Sequence, residues 1–146
     1  MKLFWGLLFI LIFASCDKER TNRNPFLQEI GFRFDINLNL PLYSPLTNSG
    51  STVYISNSQV GTRGVFVTNT GFDVFRVFEG SCPNHVPNEC SRMTLEGIVA
   101  TCPCDDYEYS TITGQMLNRP NDGSRYYDML EYRASFNGSN VVVISN

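Results

Sequence analysis

Four cysteines and the chain's single histidine fall on two short stretches, Cys82-Pro83-Asn84-His85 running on to Cys90, and Cys102-Pro103-Cys104-Asp105. Sixteen residues separate His85 from Cys102. Thiolates and an imidazole gathered from two loops are the soft donors that hold iron–sulfur clusters or zinc. Three cysteines with one histidine would make a structural zinc site. The competing use is oxidation: an even number of cysteines in an exported chain reads as a disulfide framework. Four cysteines allow three connectivities, of which one closing Cys102 onto Cys104 is the most strained. A nucleophile built from Cys82 or Cys90 with His85 competes poorly with disulfide formation. No glycine-rich phosphate loop precedes a helix.

The elements that must position these loops read as strands. Ile30 to Leu40 alternates apolar and polar residues over eleven positions, the period of a half-buried strand, and Pro41 and Pro45 end it. Thr52–Ile55 is a short strand. Val65–Asn69 and Phe72–Phe78 form a hairpin around Thr70-Gly71. Met93–Ala100 offers two short strands around Gly97, and Tyr107–Ser110 another. Tyr132–Phe136 and Val141–Ile144 flank Asn137-Gly138, the pair that favours a two-residue type I′ turn. Without a helix of useful length, this spacing means an all-β antiparallel sandwich or barrel. The many aromatics, Phe72 and Tyr109 among them, are assigned mostly to its core.

The N-terminus reads as a targeting segment. Lys2 precedes an apolar run from Leu3 to Phe13, too short for a permanent span, and Ala14-Ser15 leads into Cys16. That layout is similar to a bacterial lipoprotein signal, residues 1–15, with Cys16 as the lipidated first residue of the mature protein. Residues 16–25 then form a polar tether, and residues 26–146 a single domain. Removing residues 1–15 leaves 131 of the 146 residues, with 10 basic against 14 acidic side chains, a charge near −4. With no basic run, nothing attracts nucleic acid. The expected partner is a membrane, reached through lipid on Cys16, so the protein is expected to be exported and to face the periplasm or the cell surface.

Together the two loops, and Thr113-Gly114-Gln115-Met116-Leu117-Asn118-Arg119-Pro120 after them, resemble the cluster-binding half of a Rieske iron–sulfur domain over roughly residues 50–146. In that family one iron is held by two cysteines and the other by two histidines. The resemblance places Cys82 and Cys102 as the cysteine ligands and His85 as one histidine, with one extra residue in the first loop. Asp105 stands where the second histidine belongs, and Asp106 where glycine commonly follows. It matches Cys90 and Cys104 to a loop-clamping disulfide found in one Rieske branch. It also implies that, without a cluster, the sulfurs of Cys82 and Cys102 would lie close enough to form a second one. A carboxylate replaces imidazole poorly beside sulfide-bridged iron. The expectation is therefore a lipid-anchored, Rieske-like protein with a degenerate site and stapled loops, non-catalytic and used for binding or structure. The alternative is a [2Fe–2S] electron-transfer protein using Cys82, His85, Cys102 and Asp105. The segment Ile30–Leu46 is not explained by the resemblance.

Overall fold

The computed structural model describes residues 24–146. The signal segment 1–15, the lipidation position Cys16 and all but the end of the tether lie outside the described residues. Nine strands follow one another: β1 (Arg33–Asn37), β2 (Thr52–Ile55), β3 (Val65–Gly71), β4 (Val74–Glu79), β5 (Thr94–Glu96), β6 (Val99–Thr101), β7 (Glu108–Ser110), β8 (Glu131–Phe136) and β9 (Val141–Ser145). Every pairing is antiparallel. A six-stranded sheet runs β1-β9-β8-β4-β3-β2, and a three-stranded sheet runs β5-β6-β7. Among the described residues the helical content is one 3-10 turn, Ser44–Thr47, and no helix is long and apolar enough to cross a membrane.

Strand β3, paired between β4 and the edge strand β2, is buried on both faces, and its period of two divides the interior. Val65 and Val67 face a large core with Ile36, Phe75, Val77, Val142 and Ile144. Phe66 faces the other way, with Phe78, Met93, Ala100, Tyr109 and Met116, into a second core that includes Cys82 and Cys102. This second core lies between the small sheet and the large one. The Cys loops are thus rooted in packed apolar side chains.

Three local expectations change. The alternation from Ile30 to Leu40 yields a strand only over Arg33–Asn37, because Asn37 starts a turn: its carbonyl accepts from the Leu40 amide and its side chain from the Asn39 amide. The segment that the resemblance left unexplained closes the large sheet through β1 and β9 and fills its core with Leu38, Tyr43 and Leu46. In the β3–β4 hairpin the turn sits at Phe72-Asp73, with φ of 53° and 60°, and not at Thr70-Gly71. Phe72 is consequently 103% exposed, not in the core. The β8–β9 hairpin is present, but its connection is longer than two residues. Asn137 Oδ1 accepts from the amides of Ser139, Asn140 and Val141, and only Gly138 has a positive φ.

Candidate functional site

β4 delivers the chain to the first loop and β6 delivers it to the second. The neck of the first loop is closed by a bridge between Ser81 and Arg92 and by hydrogen bonds from the Cys82 amide to the Ser91 carbonyl (2.7 Å) and from the Met93 amide to the Gly80 carbonyl (2.9 Å). The second loop turns tightly: the Asp106 amide donates to the Cys102 carbonyl (2.9 Å), and the Cys102 amide to the Tyr107 carbonyl (2.8 Å). Asp106 has φ 56°, the left-handed region that glycine favours. Behind the loops, Gly114 packs so closely that a Cβ there would lie 2.5 Å from the Phe78 ring. Its φ of 76° also suits glycine.

The two loops are joined twice. Cys82 is disulfide-bonded to Cys102, with 5.6 Å between Cα atoms, and Cys90 to Cys104, with 5.4 Å. The inner bridge is fully buried; the outer one is exposed at Cys90 and partly covered at Cys104. His85 lies against the inner bridge, its Nε2 3.4 Å from Cys102 Sγ and 3.5 Å from Asp105 Oδ2. Asp105 Oδ2 is 4.0 Å from Cys102 Sγ. Cys82, His85, Cys102 and Asp105 therefore meet at one point. One ligand atom from each of Cys82, His85, Cys102 and Cys104 also lies within 4.8 Å of the others. The histidine ring is oriented from behind, because its Nδ1 is 3.0 Å from the Val86 carbonyl, which only accepts.

Two residues with structural roles here escaped the sequence reading. Asn84, inside the first loop, donates to the Tyr109 hydroxyl oxygen (2.7 Å) and the Tyr127 carbonyl (2.9 Å), and accepts from the Tyr127 amide (2.7 Å). It pins the loop between β7 and the strand-free segment before β8. Burial pushes the Tyr109 phenol up to about 12, against the lowering effect of the Asn84 hydrogen bond. Glu79, at the end of β4, is 1% exposed and accepts four hydrogen bonds described below. Its signal was a lone acid at the end of the apolar run Val74-Phe75-Arg76-Val77-Phe78, just before Gly80-Ser81-Cys82. The acidic group Asp105, Asp106 and Glu108 is exposed, as a solvated loop would be.

A Rieske-type cluster needs two free thiolates and two imidazoles. The chain has one histidine, and its candidate thiolates are spent on each other. These donors do not fit that cluster as they stand. No family model and no curated protein matches the chain.

Proposed function

We propose that this protein is a lipid-anchored, exported module of non-catalytic character, used for binding or structure, on a Rieske-like scaffold whose cluster site is degenerate. The observation that carries this reading is the Cys82–Cys102 bridge, packed in the core with His85 and Asp105 against it. It occupies the point where a cluster would need open thiolates. The second bridge, Cys90–Cys104, closes the same pair of loops. In the oxidised protein, two crosslinks between loops rooted in one core favour a fixed recognition surface. A disulfide-dependent fold also suits an oxidising compartment outside the cytoplasm.

The test combines a visible absorption spectrum, iron and sulfide analysis, and thiol counting on the exported protein. The expected result is a colourless protein with no free thiol among Cys82, Cys90, Cys102 and Cys104. Two irons and two sulfides per chain, with visible bands that bleach on reduction, would establish the electron-transfer alternative. Asp105 would then be the ligand to replace first. Release of Cys16-linked lipid from the purified protein tests the anchor separately.

A further inference from the structure

We propose that reduction of the two bridges converts the loops into a mononuclear zinc(II) site formed by Cys82, Cys102, Cys104 and His85. The inference deepens the stapled-loop reading and rests on it. Tetrahedral zinc with bonds of about 2.3 Å to sulfur and about 2.0–2.1 Å to nitrogen sets ligand separations of about 3.8 Å between sulfurs and about 3.5 Å from sulfur to nitrogen. The four ligand atoms already lie within 4.8 Å of one another. His85 Nε2 sits 3.4 Å from Cys102 Sγ, close to the required separation. Apart from the opening of the Cys82–Cys102 bond itself, each pair needs to move by only about 1 Å.

The histidine is prepared for such a role. A ring whose Nδ1–H is held by the Val86 carbonyl presents its Nε2 lone pair to the sulfurs. Metal-bound imidazoles are oriented by this kind of outer hydrogen bond. Asp105 Oδ2 lies 3.5 Å from the same nitrogen, which places a carboxylate beside the position a cation would take. The use of Cys104, and not Asp105, as the fourth ligand follows from its softer donor atom.

Access runs from the outside inward. A dithiol reductant attacks the exposed Cys90 sulfur, expelling the Cys104 thiolate, and its second thiol releases Cys90 while the reductant becomes a disulfide. The freed Cys104 sulfur then stands beside the buried bridge. It attacks Cys82, expels Cys102, and a second dithiol reduces the Cys82–Cys104 bond. Two disulfides are reduced and two dithiols oxidised. Zinc then replaces the thiol protons of Cys82, Cys102 and Cys104, and three protons leave. Cys90 keeps its proton and stays outside the site.

The experiment reduces the exported protein with a phosphine, whose oxide takes its oxygen from water, and adds zinc. Metal is counted after gel filtration, and thiols are mapped by alkylation and mass spectrometry. The expected result is one zinc per chain, with Cys90 alone of the four cysteines labelled until a chelator is added. Cobalt(II) in place of zinc should give tetrahedral bands with thiolate charge transfer. Cys90→Ser and Asp105→Asn should keep zinc affinity. Cys104→Ser and His85→Ala should lower it by more than the ~10–100-fold that outer-shell changes cost. Failure to retain zinc, or labelling of Cys104 while Cys90 is protected, would overturn the proposal. So would loss of zinc in Asp105→Asn with retention in Cys104→Ser. Free thiols in the unreduced protein would instead overturn the stapled-loop reading. A thiol-free protein that takes no zinc after reduction overturns only the zinc site.

Discussion

The Tyr132 hydroxyl, on β8, donates to Glu79 Oε2 at the end of β4, with 2.7 Å between the oxygens. The same carboxylate accepts from the amides of Thr62 (2.7 Å), Arg63 (2.9 Å) and Ser81 (2.9 Å). A buried carboxylate survives because these donors replace water. It joins the 61–64 turn, the entrance to the first Cys loop and β8. Gly61 lets the turn come this close, since a Cβ there would lie 2.6 Å from Glu79 Oε2. Glu79→Ala takes the acceptor from the buried Ser81 amide and Tyr132 phenol and from the part-buried amides of Thr62 and Arg63, so unfolding by urea should show a loss of roughly 3–5 kcal/mol. Tyr132→Phe removes one bond to the charge and should cost about 2 kcal/mol. A Glu79→Ala variant as stable as wild type would show that water replaces the carboxylate and that the latch contributes nothing.

Tyr109 and Tyr132 also set an alkaline limit. Burial raises both phenols, with the Glu79 charge adding to the shift at Tyr132; Tyr109 reaches about 12. An unfolded tyrosine ionises near 10. Above that pH the unfolded chain has lost phenolic protons that the folded chain keeps, so stability falls as pH rises. The Tyr109 contribution is intact below about pH 10 and is lost by about pH 12. Urea midpoints measured across that interval should decline, and Tyr109→Phe should decline less steeply. Equal slopes for the two proteins would remove Tyr109 from this account.

At the tip of the β3–β4 hairpin, Phe72 and Asp73 both hold left-handed backbone, the arrangement of a type I′ turn. A side chain with Cβ is disfavoured there, by about 1 kcal/mol or somewhat more. Asparagine tolerates the conformation better. The fully exposed Phe72 ring offers no packing in return. Phe72→Asn should therefore stabilise the protein by about 1 kcal/mol, raising Tm by a few degrees. A lower Tm would mean that the exposed ring is held by contacts that its accessibility conceals.

This hairpin also marks where local sequence signals stop. Thr70-Gly71 looked like the turn because glycine is the residue that turns most need. Gly71 does have φ of 97°, but it serves an irregularity in the β3–β4 register between Asn69 and Gly71. The Asn69 side chain accepts its amide (2.8 Å), leaving the reversal to the next two residues. By contrast, Tyr132–Phe136 and Val141–Ile144 were legible because their period of two is local. The all-β class followed from many such stretches. The meeting of His85 with Asp105 left no local signal, because the two residues lie on different loops. Glu79 was missed since its donors come from residues 62, 63, 81 and 132, and no local periodicity connects them.

The two bridges differ in what their removal should do. Their sequence separations, 20 for Cys82–Cys102 and 14 for Cys90–Cys104, give similar loop-closure contributions of about 3 kcal/mol each. Burial separates them. The inner sulfurs pack with Phe66, Phe78, Tyr109 and Met116, while Cys90 is exposed. Replacing the inner pair by alanine removes a crosslink and also buried sulfur, which adds roughly 1–2 kcal/mol of lost packing. The outer pair should cost only its crosslink. Urea unfolding of Cys82→Ala/Cys102→Ala and of Cys90→Ala/Cys104→Ala should therefore place the inner variant lower by that margin. The inner variant should also show faster amide exchange in the Cys102–Tyr107 turn, whose Cys102 end is anchored in the core. If the outer variant proves the less stable, the loops are held by their exposed rim, through Cys90–Cys104 more than through the buried bridge.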